Sequence, residues 1–246
     1  MAHLHLEIAA AEERCGYLPG RESAVHYRIL TDVTPEEMEA LLERGWRRFG
    51  LAYFRPVCAD CTECVSLRVP VAGFHPSKSQ RRAWKRCAGL RVEVRRPVAD
   101  EERLQLYLAW HRMREATRGW EPVCDSMESY AQTFCMPHPC ARELDYYEGD
   151  RLVGVGLVDE TPNALSSVYF YYHPDWRDRS LGTASVLFEI AHAAERGRSH
   201  LYLGFRVQAC LSTAYKSAFR PHELLEGRPD ADTEPLWIPP VPEVRT

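Results

Sequence analysis

Leu165-Ser-Ser-Val-Tyr-Phe-Tyr-Tyr172, then Arg179-Ser-Leu-Gly-Thr-Ala184, then His200-Leu-Tyr-Leu-Gly-Phe205 decide the fold. The first segment, rich in aromatic residues, predicts a strand. From Ser180 to Arg196 the apolar residues Leu181, Ala184, Leu187, Phe188 and Ala191 recur at helical spacing, so the second segment opens a helix. His200–Phe205 predicts the next strand. Upstream, Leu144–Tyr147 and Leu152–Val158 read as two more strands, set off by Glu148-Gly149-Asp150 and Thr161-Pro162-Asn163. Consecutive strands, a helix and a further strand give an α+β order.

Working towards the amino terminus, a helix is predicted over 100–118, a shorter one over 126–136 and a half-exposed strand over 90–95. Thr34 is a helix N-cap, with Pro35 at the first helical position and Glu37 closing a capping box. Ser77 opens another helix, with Gln80 at the capping-box position and Gly89 as its stop. Val65–Val71 alternates as a strand, and Pro70 suggests a sheet edge. Residues 1–14 are expected to fray or form a helix, Ser212–Ala218 to form a short helix, and the Pro-rich tail from Arg228 to be a surface extension. The organisation expected is an N-terminal module over 1–98 and a larger domain over 99–246.

A chain of 246 residues with 45% hydrophobic and 27% charged residues has globular composition. Its formal charge of -4 excludes a protein basic throughout, so any nucleic-acid contact must come from a local patch. The first residues lack the basic start and apolar run of a signal peptide, and no stretch approaches a membrane span of about 20 apolar residues. A cytoplasmic location is expected, in which the nine cysteines serve as thiols or ligands and not as a disulfide framework.

Three features carry chemistry. Cys58, Cys61 and Cys64, with two residues between each and the next, can converge on one centre, and Cys15 in its Gly/Pro-rich loop is the candidate fourth ligand. Zinc and iron–sulfur clusters both use such sets. Cys124, Cys135, Cys140 and His138 are spaced too loosely to suggest more than incidental thiols. Lys78, Arg81, Arg82, Lys85 and Arg86 share one face of the helix opened by Ser77, and no Asp or Glu occurs between Lys78 and Arg91 to neutralise them. A phosphate backbone is their natural partner. Finally, the Arg179-x-x-Gly182-x-Ala184 turn offers backbone N–H groups to an anion at a helix start, as acyltransferases of the GNAT type do for coenzyme A.

Together with Cys15-Gly-Tyr-Leu-Pro19, Gly45-Trp-Arg-Arg-Phe-Gly50, Phe54-Arg-Pro-Val-Cys58, Phe74-His-Pro-Ser77, Tyr202-Leu-Gly-Phe205 and Ala214-Tyr-Lys-Ser-Ala-Phe-Arg-Pro221, these motifs span nearly the whole chain. In this order they resemble the bacterial aminoacyl-tRNA–protein transferases, the aspartate/glutamate leucyltransferases and their arginyltransferase relatives. Two segments depart from that pattern: Arg118-Gly-Trp120, where relatives carry a more acidic stretch, and Arg206–Thr213.

The resemblance implies a GNAT-like acyltransferase domain with a smaller cysteine-containing N-terminal module. Its implied partners are aminoacyl-tRNA, contacted by the Lys78–Arg86 stripe, and acceptor proteins with an acidic first residue. The implied reaction moves leucine from leucyl-tRNA onto N-terminal Asp or Glu and requires no cofactor for the chemistry. Zinc or an iron–sulfur cluster on Cys15, Cys58, Cys61 and Cys64 would be structural. Tyr171, Tyr215 and Ser167 are candidate catalytic residues because family motifs pass through them. Arg177, Arg179, Gly182, Lys216 and Arg220 are candidates for substrate binding. The alternatives are an arginyl donor, an acetyl-CoA-dependent N-acetyltransferase, or a non-enzymatic zinc RNA-binding protein.

Overall fold

The computed structural model describes residues 1–9 and 13–240. The chain runs β1 (His3–Ala9), β2 (Glu13–Arg14), β3 (Glu22–Ser23), β4 (Val25–Thr31), α1 (Pro35–Glu43), β5 (Arg47–Phe49), β6 (Ala52–Pro56) and β7 (Val65–Pro70). It continues through α2 (Lys78–Cys87), β8 (Arg91–Arg95), α3 (Glu101–Arg118), α4 (Met127–Phe134), β9 (Ala141–Glu148), β10 (Arg151–Glu160) and β11 (Ala164–Tyr172). The last elements are α5 (Leu181–Glu195), β12 (His200–Arg206), α6 (Leu211–Ala214), β13 (Glu223–Leu225) and β14 (Trp237–Ile238).

Both capping boxes form. Thr34 Oγ1 accepts from Glu37 N–H at 3.2 Å while Glu37 Oε2 accepts from Thr34 N–H at 2.9 Å. Ser77 and Gln80 repeat the exchange at 3.3 and 2.8 Å. Each such cap stabilises its helix by about 1 kcal/mol and fixes where the helix starts.

Eight strands form one sheet in the order β14-β13-β7-β12-β11-β10-β9-β8, and a second sheet has the order β1-β4-β6-β5. Two strands of the large sheet, β7 and β8, precede residue 98, so the sheet joins both expected modules. Among the described residues of 1–14, which were expected to fray or form a helix, no helix forms; residues 10–12 lie outside the described residues. Leu4, Leu6 and Ile8 alternate with His5 and Glu7, a period of two, and His3–Ala9 pairs with β4. Nor is β7 an edge strand, because it lies between β12 and β13. Pro70 is tolerated because it ends the strand, beyond the Arg68–Glu223 pair where the β13 ladder stops. The tail is anchored: Trp237 packs edge-on against Tyr202, donates Nε1–H to the Glu43 carbonyl at 3.1 Å and lies under the Arg68 guanidinium.

Helices cover both faces of the large sheet. Tyr171 of β11 meets Tyr107 of α3 and Tyr130 of α4. On the opposite face Phe170 meets Tyr146, which touches Phe188 of α5. Buried Arg103 fastens α3 to β9 through Glu143 (3.0 Å) and Asp145. Between β11 and β12 the parallel ladder lasts three pairs only, Ala164–His200, Leu165–Leu201 and Ser166–Tyr202. Past that point both strands continue without pairing to each other. Two parallel strands that part after a βαβ crossover, within a mixed sheet, give the expected α+β, GNAT-like architecture.

Candidate active site

A cavity of about 790 Å³ opens where β11 and β12 separate. Ser167, Tyr169, Phe170 and Tyr172 line it from β11, and Leu203, Gly204 and Phe205 from β12. Trp110, Arg114 and Arg118 of α3 form one wall. The start of α5, with Ser180, Gly182 and Thr183, forms another, and Tyr215 and Lys216 face in from the segment after α6.

Local irregularities produce this arrangement. The β10–β11 register slips between Leu157–Tyr169 and Val158–Ser167, leaving Val168 as the extra residue of a bulge. The slip lets Ser167 reach α5, where its hydroxyl donates to Glu189 Oε1 at 3.3 Å. Arg47 fills the gap between the parted strands, donating Nη1–H to Ser166 Oγ at 2.7 Å and Nη2–H to the Ser167 carbonyl. Gly204 is required beside it. Its φ is +76°, and a Cβ there would sit 3.2 Å from Arg47 Nε.

Burial dominates the electrostatics. Glu189 is 1% exposed. Loss of water pushes its carboxyl up to about 8 although the Ser167 hydrogen bond and the Arg47 charge oppose the shift. Burial lowers Arg47 to about 10, which leaves it cationic at neutral pH. Lys216 is pulled down to about 7, first by burial and then by repulsion from Arg47. Its Nζ donates to the Phe205 carbonyl at 2.7 Å. Lys216, its amine drawn towards the neutral form, therefore shares the cavity with Ser167.

All five cations of the α2 stripe are exposed, and none makes an ion pair among the described residues. Arg86, at the carboxyl end of α2, donates to the Asp178 carbonyl (3.4 Å) and Ser180 Oγ (3.3 Å). Ser180 begins α5 with φ of +62° and lines the cavity, so the basic stripe runs up to the cavity rim.

The signature of arginine-tRNA-protein transferases matches here in both parts, the N terminus over residues 13–82 and the C terminus over 102–226. The chain belongs to this family. It is 34% identical to an aspartate/glutamate leucyltransferase of Helicobacter hepaticus, over 94% of this chain and 97% of that protein. It is 35% identical to one of Pseudomonas paraeruginosa, over 85% of this chain and 89% of that protein. Among solved structures, the C-terminal domain of a putative lysylphosphatidylglycerol synthetase from Agrobacterium fabrum aligns with 14% identity and a TM-score of 0.48, over 84% of this chain and 64% of that one.

Of the residues singled out in the sequence, Ser167, Tyr215, Gly182 and Lys216 share this cavity. Tyr171 does not. It is 0% exposed, faces α3 and α4, and its hydroxyl is hydrogen-bonded to Tyr130, so it cannot touch a reacting ester. Arg179 pairs with Glu148 at 3.0 Å and stacks on Trp176 outside the cavity lining. Arg177 and Arg220 are exposed and also outside it. Arg47, Arg114 and Glu189 went unassigned in the sequence. Glu189 had a legible signal, a carboxylate between Phe188 and Ile190 on an apolar helix, but Arg47 and Arg114 become visible only when their surroundings assemble.

Cys15, Cys58 and Cys61 are electrostatic neighbours of Cys64. Cys15 Sγ accepts from Leu18 N–H and Cys58 Sγ from Ala24 N–H, both at 3.4 Å. Arg228 holds the Cys58 and Cys61 carbonyls at 3.0 and 2.7 Å. Among the described residues no three His, Cys, Asp or Glu side chains are arranged to hold a metal ion. The donor chemistry of four thiols, two already accepting backbone N–H bonds, does fit a soft metal. Gly16 and Tyr17, next to Cys15, line the cavity, so this loop forms part of its wall. In the looser set, Cys140 is buried and His138 is hydrogen-bonded to the Tyr53 hydroxyl (2.8 Å) and to Cys140 N–H (3.2 Å). No helix among the described residues is long and apolar enough to cross a membrane.

Proposed function

We propose that this chain transfers leucine from leucyl-tRNA to the α-amine of proteins that begin with Asp or Glu. The observation that carries the reading is the continuity between the unneutralised α2 stripe and the cavity, made by Arg86 at the α5 start. The aspartate/glutamate leucyltransferase relatives that match along nearly the whole chain support the same reading.

In this mechanism the stripe holds the tRNA backbone and the 3′ end enters the cavity past Ser180 and Gly182. The acceptor α-amine has an ordinary pKa near 8, so much of it arrives protonated. Lys216, half neutral near pH 7, takes a proton from the attacking nitrogen. The nitrogen bonds to the leucyl carbonyl carbon, the bond from that carbon to the ribose oxygen breaks, and the ribose oxygen takes up the second proton that the nitrogen sheds. Tyr215 supplies a neutral hydroxyl to the tetrahedral oxyanion, while Ser167, whose own hydroxyl donates to Glu189, lines the site beside it. An aminoacyl ester is already activated, so neither ATP nor coenzyme A is consumed. Zinc or an iron–sulfur cluster on Cys15, Cys58, Cys61 and Cys64 would stiffen the wall bearing Tyr17, and a cytoplasmic location fits a tRNA donor.

The test offers purified protein a peptide beginning with Asp, together with leucyl-tRNA, arginyl-tRNA or labelled acetyl-CoA in parallel. Leucine on the peptide is the expected result. Arginine would reassign the donor, and acetyl transfer would overturn the reading. Zinc and iron analysis of the same anaerobic preparation, with its visible spectrum, tests the metal; neither element near one equivalent would remove it.

A further inference from the structure

The acidic residue of the acceptor needs a cation inside the cavity, and Lys216 is too nearly neutral to be a permanent one. Arg114 is placed differently. It projects from α3 into the cavity wall with its guanidinium over the Trp110 ring at 4.1 Å and beside Trp120 at 5.7 Å. Its Nε is shielded from solvent and bonded to nothing, and among the described residues the side chain makes no ion pair or hydrogen bond. Burial first, and then repulsion from Arg118 and Arg177, disfavour its cationic form, against an opposing contribution from Tyr172 and Tyr169. A stacked, partly desolvated guanidinium among other cations is a site awaiting an anion.

Resting on the leucyltransferase reading, we infer that Arg114 is the specificity residue of the acceptor site, binding the side-chain carboxylate of the N-terminal Asp or Glu. The alternative anion is a phosphate of the tRNA 3′ end. The carboxylate is favoured because Arg114 sits in an aromatic niche between two indoles, whereas the exposed α2 stripe presents the open cationic row that a repeating backbone requires. Arg103, about three turns earlier on α3, locks the helix to Glu143 and Asp145, so Arg114 is held on a rigid support. Its fixed fork then discriminates a carboxylate from the isosteric amide of Asn or Gln, which has the same shape without the charge.

The experiment compares wild type with Arg114→Gln and Arg114→Lys, using peptides that differ only in beginning with Asp or Asn. Transfer from leucyl-tRNA and equilibrium binding of fluorescent peptides are measured side by side. Wild type should prefer Asp by about 10–100-fold in kcat/KM, the scale of a hydrogen bond to a charged group. Arg114→Gln should bring that ratio close to one through KM for the Asp peptide, with a much smaller change in KM for leucyl-tRNA. Arg114→Lys, which keeps the charge and loses the fork, should fall between. An intact Asp preference in Arg114→Gln, or a loss confined to leucyl-tRNA affinity, overturns the assignment. Should wild type transfer no leucine, the leucyltransferase reading fails, and peptide binding by wild type and the variants still decides Arg114. If Arg114→Gln does not fold, Arg114→Lys carries the comparison.

Discussion

The protein holds cations in two contrasting ways. In the cavity Arg47, Arg114 and Lys216 are wholly or partly withdrawn from water, and each is held by something specific: Ser166 and Ser167, the Trp110 ring, and the Phe205 carbonyl. On α2 the five cations of the Lys78–Arg86 stripe stand in solvent without carboxylate partners among the described residues. Buried charges act through atomic placement, because a low dielectric magnifies small displacements. Exposed ones act through a summed field that salt screens within about 8 Å at physiological ionic strength. In the proposed function the chemistry and selection of the reaction therefore belong to the cavity, and recruitment of the polyanion belongs to α2.

The sharpest way to break that division is Lys216→Arg. Arginine keeps the charge but does not deprotonate, so it cannot accept the amine proton. Because Lys216 titrates near 7, wild-type kcat should rise as pH climbs through about 7 and then level off. Lys216→Arg should lose that rising limb and lower kcat by about 10²–10⁴-fold, the usual range for general-base removal, with leucyl-tRNA affinity unchanged. A variant with normal kcat and the same pH profile would mean that Lys216 behaves like another surface cation.

Lys78→Ala, Arg81→Ala and Arg82→Ala combined should do the reverse. Binding of leucyl-tRNA should weaken by about tenfold near physiological salt. The slope of log affinity against log salt should flatten by up to about 2–3, at roughly 0.7–0.9 for each phosphate no longer neutralised. At saturating leucyl-tRNA, kcat should stay within about twofold of wild type. An unchanged salt slope would detach α2 from the tRNA, and a collapse of kcat at saturation would merge the two regions into one.

The sequence made these regions legible to different degrees. The α2 stripe was readable because a cap at Ser77 and a 3.6-residue period fix which side chains share a face. The strands of the second half and the helix from Leu181 were readable for the same reason, periodicity and turn residues being local. The cavity was not, because it arises from non-local irregularities: the bulge at Val168, the three-pair ladder between β11 and β12, and Arg47 brought in from a separate sheet. Tyr171 was misplaced for this reason. It lies in a motif whose immediate neighbours Phe170 and Tyr172 line the cavity, while its own side chain is packed against Tyr107 and Tyr130. Arg114 carried no signal in the sequence, since its meaning lies in the two indoles beside it and the absence of an acid among the described residues.

The smallest effect on turnover belongs to Glu189, which lies behind Ser167 and touches no solvent. Its folded pKa is raised from 4.5 to about 8 by burial. Below about pH 4.5 both folded and unfolded chains hold the proton, so the group contributes no pH dependence there. Between 4.5 and 8 the unfolded chain releases the proton while the folded one keeps it, so stability must fall as pH rises through this window. Above 8 both forms are ionised and the full cost of a buried carboxylate is present. Glu189→Gln removes the titration while keeping an oxygen that can accept from the Ser167 hydroxyl. Relative to this variant, wild type should lose about 2 kcal/mol of unfolding free energy between pH 5 and pH 7, read from urea midpoints. Turnover at pH 7 should change by less than about threefold, since the proposed mechanism gives the amine proton to Lys216 and not to Glu189. Parallel stability curves for the two proteins would mean that Arg47 already compensates the carboxylate, making Glu189 the buried counter-ion of Arg47 and not a neutral acid.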